Sequence, residues 1–139
     1  MEALQPGQVR WVALQPLRRT HERLRTSRLP RQAAAVTGAL KRGEQKCRIT
    51  VRDRSGGLCE ICYLAEAIHM HHRKNRSQGG TWTAENIMHV CLECHNRVGA
   101  HPAESYRCGW SVRSGHDPLT TPVLRRREWV LLDDQGGVI

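Results

Sequence analysis

The sequence predicts a small α+β domain stapled by zinc, with a basic N-terminal arm and a short β-rich C-terminal extension. Three observations lead there. Four of the six cysteines fall in two Cys-x-x-Cys pairs, Cys59/Cys62 and Cys91/Cys94. The residues from the insert onward read in the order strand, loop, strand, helix. Finally, only 39% of the 139 residues are hydrophobic and 4% aromatic, with no Phe. A core that thin gains from a metal staple.

Residues 1–32 read as a basic, flexible arm. They hold Pro6, Pro16 and Pro30 and the Arg-rich run from Arg18 to Arg28. Like charges at that density repel and favour a solvated segment. Such an arm could lie along phosphates or serve no role. Residues 33–102 form the core. Ala33 to Leu40 contains good helix formers, weakened by Gly38. Lys46 to Arg54 fits helix or strand on pattern alone. Gly56-Gly57 ends this element before Cys59.

Glu66 to Arg73 reads as a short strand, Ser77 to Thr81 as a turn on Gly79-Gly80, and Asn86 to Cys91 as a returning strand. Leu92 to Ala100 reads as a helix stopped by Pro102. Residues 103–139 form the extension. Tyr106 to Arg113, Thr121 to Leu124 and Trp129 to Leu132 are short β-like runs, expected to make a small meander.

Lys and Arg total 22 against 13 acids, a formal net charge of +9. That balance suits a polyanionic partner, most simply nucleic acid, although a generic basic surface would show it too. No run approaches the roughly 18 apolar residues of a membrane span. The N-terminus lacks the apolar stretch of a secretory signal. A cytoplasmic protein is therefore expected, and in a reducing compartment paired cysteines hold metal rather than form disulfides.

Two intervening residues let both sulfurs of a pair reach one ion, and four thiolates make a closed structural Zn²⁺ site. Between the pairs lie 28 residues, more than the roughly 15–20 usual for paired knuckles. That insert holds His69, His71, His72 and His89, four of the eight histidines. Cys47 and Cys108 stand outside the pairs and read as buried thiols.

All eight histidines except His21 fall between His69 and His116. Phosphodiester hydrolysis needs a base for water, a cation for the developing charge, and a group that orients the base. His71, His72, His95 and Asn86 can supply these. Strand alternation would instead pair His69 with His71 and turn His72 to the other face. His71 and His72 share a site only if the strand kinks or ends there. His21, His69, His89 and His116 are read as structural or solvated.

The stretch Cys59-Glu60-Ile61-Cys62, His71-His72-Arg73, Ser77-Gln78-Gly79-Gly80, Glu85-Asn86-Ile87 and Cys91-Leu92-Glu93-Cys94-His95 resembles the HNH endonucleases, members of the ββα-metal nuclease fold. The likeness spans roughly residues 48–102. His101-Pro102, Gly109-Trp110-Ser111-Val112, Asp117-Pro118, Leu131-Leu132-Asp133 and the Arg-rich arm are similar to small HNH proteins encoded by bacteriophages near their DNA-packaging genes.

The resemblance implies a metal-dependent DNA endonuclease of weak sequence specificity. It implies double-stranded DNA and phage packaging proteins as partners, the host cytoplasm as the compartment, and a role in DNA packaging or processing. His72 would be the general base. His71 and His95 would bind the catalytic metal, Mg²⁺, Mn²⁺, Ni²⁺ or Zn²⁺. Asn86 would either position the base or bind that metal. Cys59, Cys62, Cys91 and Cys94 would hold the structural Zn²⁺. The metal-binding His that some members carry a turn after the one matched by His95 is Gly99 here. His101 could stand in only if the helix ends early. Arg73, Lys74 and Arg76 would contact DNA phosphates or form a solvated basic loop. The alternative is a non-catalytic zinc-finger nucleic-acid-binding or adaptor protein, which shares the cysteines and the charge but leaves the histidine spacing unexplained.

Overall fold

In the computed structural model, residues 31–139 are described, with side chains from residue 38 onward. The expected flexible arm, residues 1–32, lies almost wholly outside them. The elements are α1 (Arg31–Ser55), β1 (His69–His72), β2 (Ile87–Val90), α2 (Leu92–Ala100), α3 (Pro102–Arg107), β3 (Val123–Arg125) and β4 (Glu128–Val130), plus a 3₁₀ turn at Arg76–Gln78. No helix among the described residues is long and apolar enough to cross a membrane.

The two segments read as a weak helix and an ambiguous one are a single helix, α1. Cys47, Val51 and Ser55, four residues apart, bury one stripe of it. That tertiary contact outweighs the propensity cost of Gly38 and Gly43. Gly56 and Gly57, with φ of 61° and 78°, end it as expected.

β1 and β2 pair antiparallel, with His69 opposite Val90, His71 opposite Met88 and His72 opposite Ile87. Alternation splits this hairpin between two cores. Ile87 joins Cys47 and Val51 of α1, with Met70 and Trp82 packed alongside. Met88 and Val90 join the zinc-knuckle cysteines, Val98 of α2 and Trp110. The hairpin is thus a thin layer between α1 and α2.

Pro102 is a start as well as a stop. It occupies the first turn of α3, where a missing N–H costs nothing. The expected three-strand meander is corrected accordingly. Tyr106 lies in α3, residues 109–113 are irregular, and the extension's paired strands are β3 and β4, one hairpin, with an isolated antiparallel bridge between Leu132 and Val138. Gly109 makes this necessary. It has φ of 68°, and a Cβ there would lie 2.0 Å from the Pro122 carbonyl oxygen, so the chain crosses itself where a strand was expected.

Buried charge ties the extension to the core. Glu60, fully buried between the first two cysteines, accepts from Arg54 at 2.8 Å and from Arg125 at 2.9 Å. It also accepts from the His89 backbone N–H at 2.8 Å. Burial would raise its pKa, but the bonded Arg54 guanidinium outweighs burial and holds it below the ordinary carboxylate range.

Candidate active site and zinc site

The four knuckle sulfurs lie within 4.8 Å of one another, and Cys62 Sγ and Cys91 Sγ are 4.0 Å apart. Zn–S bonds of about 2.3 Å in a tetrahedron put sulfurs about 3.8 Å apart, so the donor set fits Zn²⁺. The thiols are also poorly suited to stand without a cation. Burial and the neighbouring sulfurs push Cys94 upward. At Cys59 burial is outweighed by backbone N–H groups, which lower it to about 7. Cys91 caps α2 as well, its sulfur accepting from the Cys94 N–H at 3.4 Å. A metal on these sulfurs therefore fixes the first turn of α2, and with it the next residue, His95.

His95 meets two histidines of β1. Its ring stacks on His69 at 4.8 Å between centroids and meets His71 edge-on at 5.8 Å. Alternation has the outcome the strand period predicts. His69 and His71 face α2, while His72 faces Trp82, 4.6 Å away between centroids. His71 and His72 nevertheless border one concavity of about 380 Å³ with Asn75, Arg76 and His95. They can do so because β1 pairs only with β2 and its other edge is free.

His71 Nε2 bonds the Trp110 carbonyl at 2.8 Å. A carbonyl only accepts, so Nε2 carries the proton and Nδ1 keeps the lone pair. A backbone carbonyl holding the second nitrogen is the usual support for a metal-binding imidazole. Burial, with cationic neighbours, lowers the His71 pKa to about 4, which keeps the ring neutral. Burial lowers His95 too. Two neutral imidazoles on facing walls fit a divalent ion. The four cysteines are the ready-made cluster among the described residues, so the histidine pair needs further oxygen ligands from water or substrate.

His72 is lowered by burial and by Arg76. Its Nε2 is buried with no hydrogen-bond partner, as is His69 Nε2. His89 shows the contrast: its Nδ1 is bonded to Ser55 Oγ at 2.8 Å, a structural histidine as expected.

Two expected roles are corrected by geometry. Arg73 is no phosphate contact. It is 1% exposed, and all five guanidinium N–H groups go to the carbonyls of Gly109, Glu85, Pro118, Thr121 and Pro122. Asn86 is no metal ligand. It is also 1% exposed. Its Oδ1 accepts from the Lys74 N–H at 2.7 Å, and its Nδ2 donates to the Lys74 and Thr81 carbonyls. It clamps the loop after His72. The glycine pair completes that loop. Gly79 takes φ of 84°, and a Cβ on Gly80 would sit 1.7 Å from the Lys74 oxygen.

Arg76 is exposed on the rim of the concavity. Lys74 Nζ reaches the His116 carbonyl at 3.2 Å. His101 is exposed at the corner between α2 and α3 and does not border the concavity. From sequence, His69 reads as structural or solvated, although strand alternation pairs it with His71, and Trp82 is given no role. The only signal for His69 was its two-residue offset from His71, and Trp82 had none.

A hairpin laid against a helix, with four clustered cysteines that could hold zinc and strand and helix histidines around one opening, has the make-up of a ββα-metal module. Residues 45–101 match the family model described as HNH endonuclease, and the chain carries an HNH domain of that family. An HNH domain points to nuclease chemistry in general and to nucleic acid as the partner. No curated protein and no solved structure matches the chain.

Proposed function

We propose that the protein is a metal-dependent DNA endonuclease. The observation that carries this reading is the meeting of His71, His72 and His95 at one concavity on the free edge of β1. His71, through Nδ1, and His95 would hold the divalent ion, Mg²⁺, Mn²⁺, Ni²⁺ or Zn²⁺. When bound, such an ion supplies positive charge to the phosphate and the leaving oxygen. His72 borders the concavity and burial lowers its pKa, which keeps the ring neutral near pH 7, so it would take the proton of the attacking water. Arg76, exposed on the rim of the concavity, would hold a phosphate of the cut strand. Asn86 and Gly80 keep the loop carrying Arg76 in register with His72.

The net charge of +9 favours double-stranded DNA as partner, with binding that falls steeply as salt rises. None of the described helices presents an evident set of base-reading side chains, which supports weak sequence specificity. The likeness of the tail to small bacteriophage proteins supports a role in DNA packaging or processing in a host cytoplasm. The rival is a non-catalytic HNH module. Gly99, where some family members carry a further metal-binding His, is the observation in its favour.

Supercoiled plasmid incubated with each of the four ions, or with EDTA, separates the two readings. Nicking is expected with at least one ion and not with EDTA. His72→Ala should abolish it at unchanged zinc content and thermal stability. Plasmid left intact under every ion sinks the enzyme reading, and wild-type nicking by the variant sinks the base assignment.

A further inference from the structure

A second groove, of about 420 Å³, lies between α1 and the loop ending at Trp82. Leu40 and Ala39 of α1 form one wall and Trp82 with Thr81 the other, while Lys41 and Arg76 supply cationic rims. Among the described residues Leu40 is 71% exposed, an apolar side chain left largely uncovered. Glu44 also lines the groove, but its carboxylate is bonded by Arg48 at 2.9 Å. The net character is an apolar slot with a positive rim.

Two features link this slot to the histidine concavity. Arg76 borders both. Trp82, on the far wall, is the residue against which His72 rests. A strand whose phosphate sits at Arg76 and the histidines therefore runs its neighbouring nucleoside toward the slot. The α1 wall, residues 39–44, lies outside the segment that matches the HNH family. One wall of the slot thus comes from outside the HNH-matching segment and the other from within it.

We propose that the slot between α1 and Trp82 holds one unpaired nucleoside next to the phosphate at the histidine concavity, making strands with an unpaired base at the cut the preferred substrate. This rests on the nuclease reading. The occupant follows from the chemistry of the walls. A base presents flat apolar faces suited to Leu40 and to the part of Trp82 that lines the slot, the ring being also covered by the Arg48 guanidinium at 4.5 Å, and its phosphates suit Lys41 and Arg76. On this proposal the slot of about 420 Å³ takes one nucleoside, and a base seated between Leu40 and Trp82 has left the stack or arrived unpaired. Mismatched or single-stranded positions give up a base at least cost.

The test compares a short single strand with the corresponding duplex, each carrying 2-aminopurine, in buffer without added divalent ion, so that no cutting is needed. Wild-type protein should change the probe's fluorescence at one position of the single strand. Leu40→Ser should weaken single-strand binding about five-fold and leave duplex binding within a factor of two. Lys41→Gln should weaken both. Equal affinity of wild type and Leu40→Ser for the single strand overturns the slot, as does an equal loss for both substrates. Plasmid nicking by wild-type protein is scored separately, so failure of the slot is distinguishable from failure of the nuclease reading. In the nicking assay, a bubble of unpaired bases should be cut about ten-fold faster than the paired sequence, and equal rates would overturn the preference.

Discussion

Replacing Arg73 by Lys keeps the charge and removes only the planar fork. The guanidinium donates to five carbonyls at 2.7–3.5 Å. An ammonium has three donors, so at least two carbonyls lose their partner. Each buried acceptor left unsatisfied costs about 1–3 kcal/mol. The loss is therefore roughly 2–6 kcal/mol, a large share of the roughly 5–15 kcal/mol that stabilises a typical domain. Burial lowers the Arg73 pKa to about 10, still protonated at neutral pH, so both residues enter as cations. Urea unfolding in zinc-saturated buffer reads the change. At roughly 1–3 kcal/mol per molar urea, even a 2 kcal/mol loss moves the midpoint down by roughly 0.7–2 M. A Lys variant whose midpoint stays within about 0.2 M of wild type would refute the five-carbonyl account.

Other outcomes follow from the same geometry. Glu60→Gln leaves Arg54 and Arg125 without their counter-charge and should cost roughly 3–5 kcal/mol by urea unfolding. Because the folded pKa of Glu60 is depressed, its contribution is present above the unfolded carboxylate value and is lost as pH falls through the folded one. Wild type should thus lose more stability than Glu60→Gln between pH 6 and pH 3, and parallel curves would contradict this. Cys91→Ser should lose bound zinc by metal analysis and helical signal by circular dichroism, since the sulfur would be a zinc ligand and a Ser hydroxyl, though able to cap α2, cannot replace it. A helical, zinc-free variant would count against the staple. Gly80→Ala should cost more than about 2 kcal/mol, because its Cβ meets backbone at 1.7 Å, whereas Gly79→Ala meets open space and pays only about 1 kcal/mol for its left-handed φ. Equal melting temperatures for the two would overturn the distinction.

Features encoded within a few residues of one another are legible in the sequence. The cysteine pairs, the two central strands and α2 all depend on local spacing, and each element appears where spacing put it, with β1 trimmed to four residues. What depends on distant partners is not legible there. Arg73 stands beside Lys74 and Arg76 and looks like one more surface cation, yet its carbonyl acceptors come from as far away as Pro122. Glu60 gives no local hint that Arg125 will bond it, 65 residues later. Pro102 reads equally as the end of one helix or the start of the next. In the site, the His-His pair is legible as chemistry, but not how neighbours on opposite strand faces come to border one opening. That depends on the free edge of β1.

The backward ties of the extension also set an order of events during synthesis. The zinc knuckle and all three concavity histidines are made before residue 96, but the acceptors for Arg73 run to Pro122 and the second cation for Glu60 is Arg125. Further on, Gly136 lies against Thr50, where a Cβ would come within 2.5 Å of the Thr50 methyl. A ribosome-bound chain that has just exposed the HNH segment therefore carries its histidines on an unfinished frame. The segment that carries the family's signature is complete as a motif well before it is complete as a folded body, and a cutting-competent shape should emerge only once the last quarter of the chain has left the exit tunnel.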